Sequence, residues 1–174
     1  IVKAWGAAPG ALDKDRNLLA EFQAAGFAYV GDKTAMDAID TKKTSHLLGL
    51  FSHSNMNVAL DKIDGRRKSG QGLGNEGKNR VVDDYGFPDQ PMLDEMTAKA
   101  LSVLEKKKEG FILMVEGASI DKQGHNMDTE RWMLDTIEFD RSVALAQAFA
   151  AKHGNTLVIV TADHEVAGTA LIGG

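Results

Sequence analysis

Glu116, Asp121 and His125 stand five and then four residues apart in the tract Phe111-Ile-Leu-Met-Val-Glu-Gly-Ala-Ser-Ile-Asp-Lys-Gln-Gly-His125. A second tract, Thr156-Leu-Val-Ile-Val-Thr-Ala-Asp-His164, ends on the pair Asp163 and His164. Carboxylate oxygen and imidazole nitrogen are donors that suit Zn2+, and an oxygen donor such as Glu116 suits Mg2+. Five such residues are too many for one tetrahedral zinc, so the pattern points to more than one metal. Taken alone, the first tract also reads as an acid-decorated helix N-terminus with a surface histidine. The second tract, mirroring it, outweighs that reading.

Each tract places its ligands just past an apolar, strand-like run, Phe111–Val115 and Thr156–Val160. In open α/β sheets the ligand crevice lies outside the carboxyl ends of the strands. Gly117 and Ala118 allow a tight turn after the first run, and a helical turn there would put Asp121 and His125 on one face. The supporting elements follow from periodicity. Asp15 to Ala25 groups Leu18, Leu19 and Phe22 on one helical face, with Gly26 as the stop. Phe27–Val30 and His46–Phe51 read as short strands, with a short helix near Lys33–Ile39 between them. Leu93 to Lys107 is amphipathic. Asp128 or Thr129 can cap a long helix that ends at Gly154. Residues 61–91 are rich in Gly, Lys, Arg and Asp without periodicity and read as a long loop. Strands alternating with helices, and apolar on both faces, predict a mostly parallel α/β sheet flanked by helices.

With 174 residues and 43% hydrophobic content, the chain reads as one domain, residues 1–174, able to bury a core. Its net charge of −5 gives no electrostatic support for nucleic-acid binding. No apolar run approaches the roughly 18 residues of a membrane span. The absence of cysteine excludes disulfides, thiolate zinc sites and cysteine nucleophiles. The chain starts at Ile1 and stops at Gly174, soon after the second tract, and reads as an internal piece of a longer protein.

The strings Val115–His125 and Asn155–His164 resemble the metal-binding segments of bacterial alkaline phosphatases. Leu47-Leu-Gly-Leu-Phe51, Asn55-Met56 and Met96-Thr-Ala-Lys-Ala100 are similar too, in the same order. The resemblance covers most of the chain and implies an alkaline-phosphatase-like fold, here incomplete. It implies a phosphate monoester hydrolase that works by in-line displacement through a phosphoserine, with two zinc ions and one magnesium ion. Glu116 would be the magnesium ligand, Asp121 and His125 would hold one zinc, and Asp163 and His164 the other. Lys122 matches an auxiliary lysine that steers a water and the phosphate. Small phosphomonoesters and inorganic phosphate are the implied partners, with a homodimer and a periplasmic or secreted location for the intact protein.

The departures set an expectation as well. No Asp-Ser pair occurs, so the family's nucleophilic serine and its neighbouring aspartate are missing, and so is the phosphate-clamping arginine. A third zinc ligand, a downstream histidine, is not matched either. Ser119 lies inside the metal tract and is rejected as a nucleophile. The chain is therefore expected to be inactive alone. The alternatives are a non-catalytic, partial metal-binding domain, or a related phosphodiesterase or sulfatase. Gly72-Leu-Gly-Asn-Glu-Gly-Lys-Asn79 nearly spells a P-loop, but Asn79 replaces the Ser/Thr and no apolar strand precedes it. His46, His53 and His153 read as structural or surface groups, and Arg66-Arg67-Lys68 as a solvated patch.

Overall fold

The computed structural model describes residues 16–52, 55–67, 89–166, 168 and 170. The chain opens with α1 (Leu18–Ala24), capped by Asn17, whose side chain accepts from the Ala20 amide at 3.2 Å. Gly26 follows with a φ of 89° and turns the chain into β1 (Ala28–Val30). Asp32 caps α2 (Lys33–Asp37) by accepting from the Ala35 amide at 2.6 Å. That helix is the crossover to β2 (Leu47–Gly49), which pairs parallel to β1 with Ala28 opposite Leu47 and Val30 opposite Gly49. Val30, Met36 and Phe51 form the buried centre here, and Met56 and Met96 pack on it.

The other regular elements among the described residues are helices. α3 spans Ala59–Arg67, α4 Leu93–Leu104, α5 Ala118–His125 and α6 Thr129–His153. α3, α4 and α5 all pack against α6. The ends of α6 are where local chemistry puts them. The Asp128 carboxylate accepts from the Arg131 amide at 3.2 Å. Gly154 closes the helix at a φ of 69°, a left-handed conformation that costs a residue with a Cβ about 1 kcal/mol or more. None of the described helices is long and apolar enough to cross a membrane.

The small parallel sheet flanked by helices agrees with the α/β expectation. Two expectations need correction. The predicted 61–91 loop gives way over residues 61–67 to α3, whose sparse apolar residues left no helical period to read. More importantly, Phe111–Val115 and Thr156–Val160 are not strands in a buried sheet. Among the described residues neither run has a pairing partner. Burial nonetheless alternates along the first run, with Phe111, Leu113 and Val115 half-buried while Ile112 and Met114 are 99% and 87% exposed. Its inner face turns toward α6, where Phe111 meets the Phe149 ring edge-on at 5.8 Å. Leu157 and Ile159 in the second run are exposed as well. The physical reason is that a strand exists only against another backbone; an apolar, β-branched run suits a segment to pairing but does not supply the neighbour. A cavity of about 620 Å³ remains between the runs and helices α4 and α6.

Candidate metal centre

The first apolar run leads into α5, and the chain after the second returns to it. Gly117 is the N-cap of that helix and directly follows Glu116. Gln123 and Gly124 face inward and are buried. Asp121 and His125, one turn apart, face outward, with His125 Nε2 3.5 Å from Asp121 Oδ1. The helix therefore presents the predicted i, i+4 pair as a unit.

The second tract is brought to the first by an absent side chain. A Cβ on Gly124 would lie 3.0 Å from both Cβ and Cγ1 of Val166, so only glycine accepts Val166 without displacement. That approach carries the preceding Asp163 and His164 against α5. His164 Nε2 lies 3.4 Å from Asp163 Oδ2 and 3.8 Å from Asp121 Oδ1. Its other ring nitrogen, Nδ1, donates to the Glu165 carbonyl at 2.9 Å, which leaves Nε2 as the lone-pair nitrogen of the neutral ring. The Glu165 carbonyl, followed by the Asp163 carboxylate, holds the His164 pKa above its ordinary value. Asp163 Oδ1 also accepts from the His164 amide at 3.1 Å, fixing the pair locally.

Four of the five predicted ligands are thus linked by short side-chain distances, and Glu116 is not among them. It is exposed and makes no ion pair with the other four among the described residues. Nor do any three Asp, Glu or His side chains enclose a single coordination point among those residues. The four form a chain of donors.

Two observations say what such a chain can hold. Donors bound at about 2.1 Å to a tetrahedral zinc lie about 3.4 Å from each other. The Asp121–His125 and Asp163–His164 separations, 3.5 and 3.4 Å, are of that size. They are too long for good hydrogen bonds. Asp121 Oδ1 is also buried and has no hydrogen-bond partner, an orphan acceptor facing two imidazole nitrogens. A cation beside this oxygen would give it the partner it lacks.

The remaining candidates separate cleanly. Lys122 donates from Nζ to Asn55 Oδ1 at 2.5 Å, a partner that no spacing rule in the sequence identifies. His153 bonds the Phe149 carbonyl within α6, and His46 lies against the Phe27 ring, so both are structural. His53 and the tract 72–79 lie outside the described residues, as do the side chains of Arg66, Arg67 and Lys68.

The alkaline phosphatase family model matches residues 4–174. The chain is similar to alkaline phosphatase 3 of Bacillus subtilis (strain 168), 36% identical over 155 residues, covering 89% of this chain and 28% of that protein. It is 38% identical to the alkaline phosphatase of Escherichia coli (strain K12) over 153 residues, covering 86% of this chain and 31% of that protein. The Thermus thermophilus alkaline phosphatase structure aligns at a TM-score of 0.61 and 26% identity, covering 79% of this chain and 24% of its own. The chain thus spans less than a third of the length of these relatives. With a family model matched over nearly its whole length, the chain belongs to the alkaline phosphatase family.

Proposed function

We propose that this chain carries much of the metal-ligand set of a phosphate monoester hydrolase. Asp121 with His125 and Asp163 with His164 would hold two zinc ions, and Glu116 a magnesium ion. The observation that supports this best is the convergence of the two tracts on the orphan oxygen of Asp121. When bound, such ions supply charge stabilisation to the attacking and leaving oxygens of an in-line displacement. The chain's own residues supply order. The Glu165 carbonyl fixes the His164 ring, the α5 turn fixes Asp121 against His125, and Lys122 offers a cation to phosphoryl oxygens. Small phosphomonoesters are the substrates on this reading and inorganic phosphate the product, with a phosphoserine between them. The family relationship supports a periplasmic or secreted homodimer for the whole protein.

A second reading, a non-catalytic metal-binding domain, draws support from the absence of any Asp-Ser pair in these 174 residues. The two readings converge on one expectation for the chain by itself. Its hydrolysis of an aryl phosphate with zinc and magnesium present should not exceed that of buffer. Robust turnover that disappears in Asp163→Ala would place a nucleophile within this chain and overturn that expectation.

Metal uptake tests the site directly. A catalytic zinc usually has three protein ligands, and each pair here offers two. Calorimetric titration should therefore show weak zinc binding, reduced about 100-fold or more by His125→Ala or His164→Ala, since even supporting residues are worth 10–100-fold. Unchanged uptake in both variants would refute the ligand assignment. Tight binding of two zincs would show that other side chains complete the coordination.

A further inference from the structure

Lys122 is held by a neutral group on an anchored segment, and the choice of partner has a chemical consequence. Its ammonium donates to Asn55 Oδ1 at 2.5 Å, joining α5 to a residue 67 positions earlier. Asn55 is fixed on both sides. The Ser52 hydroxyl donates to the Asn55 carbonyl at 3.0 Å. Two residues on, the Asn57 amide donates to Gln90 Oε1 at 2.7 Å, and Gln90 is only 1% exposed. Between these anchors Met56 packs on the buried cluster of Val30, Met36 and Phe51. The backbone under Asn55 is therefore set by the core, and its amide stands as a fixed acceptor.

An ammonium has three donors, so one bond to Asn55 leaves two. An amide oxygen orients the group without cancelling its charge, whereas a carboxylate in the same place would neutralise it. We propose that Asn55 is a positioning residue: it holds the ammonium of Lys122, the residue that follows Asp121 on α5, while leaving its full charge available to an oxyanion, inorganic phosphate or a phosphate ester. The oxyanion part rests on the function proposed above; the Asn55–Lys122 contact does not.

Two measurements separate the two. Amine acylation of the whole chain, read at each lysine by mass spectrometry, reports the contact without metal or phosphate. Asn55→Leu, which keeps the volume and loses the acceptor, should speed acylation of Lys122 roughly fivefold against the other lysines, the size of one hydrogen bond. Asn55→Asp retains the acceptor and should leave Lys122 slow. Inorganic phosphate titrated into the zinc-loaded chain reports the charge. Both variants should weaken binding about fivefold to tenfold, and neither should add to the loss in Lys122→Ala. A purely structural role for Asn55 predicts instead that Asn55→Asp binds phosphate normally and that the losses add to Lys122→Ala; either result overturns the proposal. Unchanged Lys122 acylation in Asn55→Leu overturns the contact itself. Altered acylation with no phosphate binding by the unsubstituted chain leaves the contact standing and overturns the oxyanion role, together with the phosphate reading of the site.

Discussion

Arg131→Ala should cost about 3–5 kcal/mol of folding stability, the range for stripping one partner from a buried ion pair. The guanidinium side chain is 12% exposed and Asp61 beneath it 6%. Nε and Nη2 of Arg131 donate to Asp61 Oδ1 at 3.2 and 3.0 Å, and Nη1 donates to Asp128 at 2.8 Å. One residue near the start of α6 thereby ties down both α3 and its own N-cap. Asp61 Oδ2 is already buried without a hydrogen bond, so removing Arg131 would take from that carboxylate the ion-pair partner it has among the described residues. Urea unfolding followed by circular dichroism gives the loss. Arg131→Ala combined with Asp61→Leu should recover part of it, because the stranded charge leaves too. The exposed Lys43–Asp40 pair is the comparison: at 3.6 Å and 88% and 51% exposed, it is worth well under about 1 kcal/mol. A cost for Arg131→Ala as small as that of Lys43→Ala would mean α3 is not held to α6 through this pair.

The second large effect is on pH dependence, and its sign runs against habit. Asp135 and Glu138 lie one turn apart on α6 and reach to the starts of two other helices. Asp135 accepts from the Ala59 amide opening α3, and Glu138 from the Asp94 amide opening α4. Such capping favours charged carboxylates, yet desolvation prevails at both. Burial raises Asp135 from 3.8 to about 6, against the opposing pull of the Ala59 amide and Lys62 and with the help of Asp61. Burial raises Glu138 from 4.5 to about 7, assisted by a hydrogen bond with Asp94 and opposed by Arg141.

Between the ordinary and the raised values the folded chain binds more protons than the unfolded one, so its stability falls as pH rises. The contribution is fully present below about pH 4 and gone above about pH 7.5. At 1.36 kcal/mol per pH unit, with roughly half removed for solvent screening, the pair lowers stability by about 3 kcal/mol across that window. Asp135→Asn with Glu138→Gln keeps the acceptors and removes the titration. It should flatten the profile and leave the chain more stable than the unsubstituted one at pH 8. Urea midpoints at pH 5 and pH 8 decide this; a doubly substituted chain less stable at pH 8 would show that the charged caps prevail over their burial.

Local signals in the sequence proved legible where local chemistry decides the outcome. Asp128 and Gly154 bracket α6 because an N-cap acceptor and a left-handed glycine act within a few residues of themselves. Asp121 and His125 were readable as a pair for the same reason: spacing alone fixes a helical face. The meeting of Asp121 with His164 was expected from two tracts of like design, but the means, glycine 124 under Val166, is a tertiary contact without a local pattern. Asn55 was visible only as part of a similar string, since a hydrogen bond across 67 residues leaves no periodic trace. The apolar runs failed as strands for a related reason. Their apolar composition encodes a readiness to be buried, while pairing depends on a neighbour that residues 111–115 and 156–160 do not encode themselves.

Those runs carry a consequence for how the chain behaves in a test tube. Phe-Ile-Leu-Met-Val and Thr-Leu-Val-Ile-Val are uncharged, free of proline and rich in β-formers, the composition of segments that seed cross-β aggregates. Their solvent-facing residues, Ile112, Met114, Leu157 and Ile159, lie open. The charges at their ends act as gatekeepers: Lys106-Lys107-Lys108-Glu109 before the first run and Glu116 after it, Lys152 before the second and Asp163 beyond it. Two of those gatekeepers are also proposed ligands. Neutralising Glu116 and Asp163, by acid or by a bound cation, would relax the repulsion that keeps the runs of neighbouring molecules apart. On the proposed ligand assignment, colloidal stability and metal loading would depend on the same carboxylates.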